Sequence, residues 1–175
     1  MFILVIGGSA SGKSEYAEQL VTSSGVFPRY YIATMQPFGE EGQTRIRRHR
    51  ALRAQKRFET VERYTGLSGL TLPQPGAALL ECIGNLTANE LFSESGAGEQ
   101  TVSAVVNGVE RLIRSTKELV VVTNDVFSDG VVYDPSTENY RVKLAEINRA
   151  LAARADRVVE VVCGLPLYLK GGASA

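Results

Sequence analysis

The chain has little of what metal and redox sites are built from. Its 175 residues include one histidine, two cysteines and no tryptophan. A single histidine excludes the ligand spacings of a zinc site. Two cysteines, Cys82 and Cys163, are too few for the disulfide framework of a small secreted domain. Each ends an apolar run, so both are expected as small buried hydrophobes. Charge of either sign is not in excess: 19 Lys and Arg balance 19 Asp and Glu. That argues against a globally basic nucleic-acid binder and leaves only local patches. No apolar run approaches the roughly 20 residues of a membrane helix. The opening "MFILVIGG" lacks the basic lead of a signal peptide and is short for one. A cytoplasmic protein with no membrane span is expected.

What is present is an ordinary globular composition, 44% hydrophobic and 22% charged. The length suits a single domain over 1–175. "FILVI" is a continuous apolar run, as in a parallel strand covered on both faces. A helix follows over residues 13 to about 24, with Tyr16, Ala17, Leu20 and Val21 at helical spacing and Gly25 and Pro28 closing it. "RYYIAT", "FETVE", "AALLECI" (77–83) and "LVVVTNDV" read as further strands, and "RVVEVVC" and "LYLK" as the last. "SESGAGEQ" reads as a surface loop. Val102, Val105, Val106, Val109, Leu112 and Ile113 mark a helix to about residue 115. Asp134-Pro135 reads as the start of another, with Leu144, Ile147 and Leu151 as its apolar stripe. Strands alternating with helices predict an α/β fold with a mostly parallel central sheet flanked by helices. Ligands of such sheets bind beyond the carboxyl ends of the strands. Gly7 to Ser14, Thr34, Glu81 and Asn124-Asp125 all fall at those ends.

The stretch Gly7, Gly8, Ser9, Ala10, Ser11, Gly12, Lys13, Ser14 has the spacing of a phosphate-binding P-loop between a buried strand and a helix. Its glycines let backbone N–H groups point at phosphate oxygens. Lys13 adds a point charge, and Ser14 offers a hydroxyl to Mg²⁺. A metal shell also wants an acidic residue at a nearby strand end. Glu81 and Asp125 both qualify, with Glu81 preferred because its strand is apolar right up to it.

His49 lies in "RIRRHRALRAQKR", with Arg45 and Arg53 four residues to either side and so on one helix face. Surrounding guanidinium groups favour the neutral, nucleophilic imidazole and can grip phosphate oxygens. Three readings stay open from these residues. His49 attacks phosphorus and carries a covalent nucleotide; the segment is a solvated basic helix; or it is a nucleic-acid-binding stripe.

Taken in order, "GGSASGKS", "YIAT", "RIRRHRALR", "FETVE", "LLECIGNLTANELF", "VTNDV" and "RVVEVVCGLPLYLK" resemble the bifunctional adenosylcobinamide kinase/adenosylcobinamide-phosphate guanylyltransferases of cobalamin biosynthesis. The likeness covers nearly the whole chain. It implies a RecA-like P-loop NTPase fold and two reactions. A nucleoside triphosphate, ATP or GTP, phosphorylates the aminopropanol hydroxyl of adenosylcobinamide. GMP then passes from GTP through a histidine phosphoramidate to that phosphate, giving adenosylcobinamide-GDP and pyrophosphate. By motif, His49 is the histidine and Lys13 its partner in catalysis. Gly7 to Ser14, Thr34, Arg53, Glu62 and Glu81 bind nucleotide, and Ser14 and Glu81 hold the metal. Small-molecule partners, no nucleic acid and assembly as a homotrimer are implied. The chain departs from the pattern in having Phe58 where many relatives have tryptophan, and in the loop 126–135, "VFSDGVVYDP", where they have a shorter glycine-proline turn.

Overall fold

The computed structural model describes residues 1–37, 55–127 and 129–172. His49, Arg45 and Arg53 lie outside the described residues. Among those described, seven strands form one sheet in the order β3-β2-β4-β5-β1-β6-β7. The strands are β1 (Phe2–Gly7), β2 (Arg29–Ala33), β3 (Phe58–Glu62), β4 (Ala77–Leu80), β5 (Glu118–Asn124), β6 (Arg157–Val162) and β7 (Leu165–Lys170). All neighbours pair in parallel except β6 and β7, which form an antiparallel hairpin. The expected mostly parallel α/β sheet is therefore present.

The continuous apolar runs are explained by burial on both faces. Phe2 and Leu4 of β1 point to one face and Ile3 and Val5 to the other, and all four are buried. Helix α1 (Lys13–Ser23) packs Ala17 and Val21 on the second face. Helices α2 (Ile83–Phe92), α3 (Thr101–Ser115) and α4 (Pro135–Arg154) cover the first. The stripe Leu144, Ile147 and Leu151 is fully buried there. Asp134 caps α4, its carboxylate accepting from the N–H of Ser136 (2.9 Å) and Thr137 (3.1 Å), with Pro135 in the first turn.

Two expectations are corrected. The strand expected over 77–83 stops at Leu80, and residues 83–92 are a helix. Cys82 is the N-cap of that helix, its sulfur accepting the N–H of Asn85 at 3.4 Å. The apolar run continues unbroken because Leu80 and Ile83 enter the same core from different elements. Cys163 is exposed, not buried. It sits with Gly164 in the two-residue turn of the β6–β7 hairpin, both residues at positive φ (51° and 79°), as a primed turn requires. The stretch read as loop before α3 ends in a single 3₁₀ turn over Gly98–Gln100.

Candidate nucleotide site

The stretch from Gly7 to Ser14 runs from the end of β1 into α1 and forms a tight loop. Gly12 has φ +91°, a conformation glycine adopts freely. A Cβ at Gly7 would meet Ser11 Oγ at 2.5 Å and the Val161 carbonyl at 2.7 Å. No larger residue fits there without moving the loop. Lys13 turns back over the loop, its ammonium donating to Gly8 O at 2.8 Å. Burial lowers the Lys13 pKa below the usual lysine range, while the nearby Cys82 works in the opposite direction. Ser9, Ala10 and Ser14 are exposed at the open side. A cavity of about 380 Å³ adjoins the loop, bounded on its far side by Glu18 and Lys56.

The strand order sets how far each polar strand end lies from this loop. Asp125 follows β5, the neighbour of β1, and its N–H donates to Gly7 O at 3.1 Å. Glu81 follows β4, one strand further out. Its carboxylate turns toward β2, accepting from Tyr31 Oη (3.0 Å), Thr34 N (3.1 Å) and Met35 N (3.4 Å). Thr34 is fully buried, and its hydroxyl donates to Cys82 O at 3.0 Å. Glu62 ends β3 in register with Ala33 and is exposed. Its carboxylate accepts from Tyr64 Oη at 2.9 Å.

The sequence-predicted residues therefore form two groups along one sheet edge. Gly7 to Ser14 and Asp125 occupy one end; Thr34, Glu62 and Glu81 occupy the other. Three strand spacings, about 14 Å, separate β1 from β2.

Sequence reasoning missed several residues here. Glu18, only 6% exposed, pairs with the Lys56 ammonium at 2.5 Å. This ties α1, one turn past the loop, to the chain just before β3. The signal was an acid five residues after Lys13, but its partner is 38 residues away in sequence. Asn89 fixes the far group by donating to Thr34 O (2.8 Å) and Tyr64 O (3.0 Å). Between the groups, Cys82 is buried and its thiol pKa is raised chiefly by that burial. The Tyr140 hydroxyl lies close enough that a Cβ on Gly84 would meet it at 3.0 Å. Burial first, and then Cys82, push the Tyr140 pKa up to about 12. Chemically, the edge offers a phosphate cradle with one cation and carboxylates at graded distances.

Residues 3–169 match the family model described as cobinamide kinase / cobinamide phosphate guanyltransferase. The chain is 33% identical to the bifunctional adenosylcobalamin biosynthesis protein CobU of Escherichia coli, covering 97% of this chain and 100% of that one. It is 34% identical to the protein of the same name from Salmonella typhimurium, again over 97% and 100%. It is 30% identical to the bifunctional adenosylcobalamin biosynthesis protein CobP of Pseudomonas aeruginosa, over 96% of each. Among solved structures, the ATPase domain of a helicase matches 91% of this chain and 68% of its own, with a TM-score of 0.51 and 8% identity. That likeness agrees with the expected P-loop NTPase fold.

Proposed function

The chain belongs to the cobinamide kinase / cobinamide phosphate guanyltransferase family and is a kinase and guanylyltransferase of cobalamin synthesis, and from that premise we propose how its residues divide the two reactions. The observation that carries the proposal is the folded loop itself, with Lys13 already turned inward onto Gly8 O. In the kinase reaction the loop presents the γ-phosphate of ATP or GTP to the aminopropanol hydroxyl of adenosylcobinamide. In the second reaction the same loop holds the β- and γ-phosphates of GTP while His49 attacks the α-phosphorus. The P–O bond to pyrophosphate breaks, and GMP is carried on the imidazole to the substrate phosphate. Both reactions need positioning and charge neutralisation more than covalent help from elsewhere.

An extended nucleoside triphosphate spans a distance like that between the two groups of residues. Its phosphates would lie on Gly7 to Ser14 and its nucleoside toward Thr34, Glu62 and Glu81, with Arg53 reaching in from beside His49. Mg²⁺ fits this donor set. Among the described residues no cluster of three or more His, Cys, Asp or Glu could cage a metal. Mg²⁺ instead takes one or two carboxylates with substrate phosphates. The exposed Ser14 hydroxyl would hold it, with Glu81 as acidic partner and Asp125 the alternative nearer the loop. When bound, it would neutralise charge on the transferring phosphoryl group. Assembly as a homotrimer belongs to the same reading, and sedimentation velocity tests it: a purely monomeric chain contradicts it.

The test is the fate of label from GTP. With Mg²⁺, α-labelled GTP should leave acid-labile label on the protein, and γ-labelled GTP should leave none there. His49→Ala should abolish the protein-bound label while keeping the folded state. Label that persists in His49→Ala removes His49 from the reaction. With adenosylcobinamide, γ-label should appear in the substrate; failure there leaves only the guanylyl step.

A further inference from the structure

The β6–β7 hairpin is an odd addition to this sheet. It is the one antiparallel pair among the described strands, and it adds little to the core. Leu165, Leu167 and Leu169 of β7 are 68%, 50% and 62% exposed. Its turn nevertheless makes a close contact with the phosphate loop. The Gly164 N–H, which the two-residue turn leaves free of the strand ladder, donates to Ser11 O at 2.8 Å. A Cβ on Gly12 would come within 3.1 Å of Gly164 Cα. The Val161 carbonyl closes on Gly7 from the same side. The Ser11 hydroxyl is enclosed there with no hydrogen-bond partner among the described residues. Further along, Tyr168 Oη meets Tyr16 Oη of α1 at 3.2 Å.

We infer that Gly164 is a positioning residue for the phosphate loop, and that the hairpin turn sets the direction in which the loop donates to phosphate. The reason is peptide geometry. The Ser11 carbonyl and the Gly12 N–H belong to one planar trans peptide and point in opposite directions. Fixing the carbonyl on Gly164 aims the Gly12 N–H away from the hairpin, to the side left for phosphate. The turn can do this only with positive φ at position 164. No atom stands within 4 Å of where a Gly164 Cβ would be, so a substitution acts through backbone conformation and not through a clash. This rests on reading Gly7 to Ser14 as a triphosphate cradle.

The experiment compares wild type, Gly164→Val, Gly164→Asn and Lys13→Ala for binding of GTP, pyrophosphate and guanosine by competition, alongside thermal unfolding. Valine resists positive φ, whereas asparagine tolerates it. Gly164→Val should weaken GTP and pyrophosphate alike by about tenfold, the scale of one misaimed bond to a charged group, and leave guanosine unchanged. Gly164→Asn should restore binding to within about twofold, since it keeps the same N–H in the same place. Equal losses for guanosine, or valine and asparagine variants that behave alike, would overturn the inference. Should Gly164→Val not fold, amide hydrogen exchange in the wild type decides. Saturating pyrophosphate should slow exchange at Gly164 several-fold, and an unchanged rate overturns the inference. Wild type binding neither GTP nor pyrophosphate, or Lys13→Ala binding them normally, removes the cradle reading and the inference with it. Loss in Lys13→Ala with every Gly164 measurement unchanged removes the inference alone.

Discussion

Lys13 and Glu81 show how burial and partners decide what a charged residue does here. Lys13 is half-buried, and burial lowers its pKa from the usual 10.5. The folded chain therefore holds this proton less tightly than the unfolded chain. The group costs stability at low pH, and the cost is relieved as pH rises through the lowered pKa. For phosphate binding the sign is opposite, because the ammonium is the binding form. GTP affinity should start to fall at a pH below 10.5, and Lys13→Arg should flatten that alkaline limb. Titration of affinity by calorimetry from about pH 7 to 10 checks this; an unchanged limb in Lys13→Arg would assign it to another group. Glu81 accepts from two backbone N–H groups and a tyrosine hydroxyl. Glu81→Gln should cost about 1–2 kcal/mol in urea unfolding, as charge-assisted bonds weaken to neutral ones. The loop was legible at this scale because eight consecutive residues carry its pattern. The turn of Glu81 toward Thr34 was not, because its partner is 47 residues away in sequence and reaches it only through the sheet.

At the scale of elements, legibility followed how local each signal was. The start of α4 was readable because Asp134 and Pro135 act on adjacent peptides. The Thr137 hydroxyl, then its N–H, hold the Asp134 carboxyl below the ordinary 3.8. Its contribution is therefore present above the unfolded pKa and is lost as pH falls through the lowered one. Asp134→Asn should flatten that acid limb in thermal unfolding followed from about pH 5 to 2. The start of α2 was not readable. Its first buried residues extend the apolar run of β4, and periodicity cannot divide a buried strand from a buried helix. Cys163 was misjudged for a related reason: an apolar neighbourhood does not reveal a turn whose conformation is set by strand pairing. The stripe on α4 was legible because its spacing is the burial pattern. Ile147→Ala should cost about 2–5 kcal/mol through the cavity it opens against β1 and β5, read from chemical denaturation.

For the molecule as a whole, the parallel sheet gathers its polar strand ends on one edge but distributes them over separate elements. The loop belongs to β1 and α1, Glu81 to β4, Thr34 to β2 and Glu62 to β3. A ligand touching all of them links the middle of the sheet to its β3 edge. Pyrophosphate reaches only the loop, and guanosine only the far group. GTP should therefore stabilise the fold more than pyrophosphate and guanosine added together at the same concentrations, because the second contact becomes intramolecular. At about a hundred times its dissociation constant, GTP should add about 2.7 kcal/mol. For a domain of this size that raises the unfolding temperature by roughly 5–10 °C. Lys13→Ala should remove most of the rise, and Glu62→Ala a smaller part, since Glu62 is exposed and meets only the nucleoside end. Differential scanning calorimetry with the ligands singly and mixed makes the comparison. A mixture matching GTP would mean that one ligand does not span the edge, and that phosphate and nucleoside groups are held at independent sites.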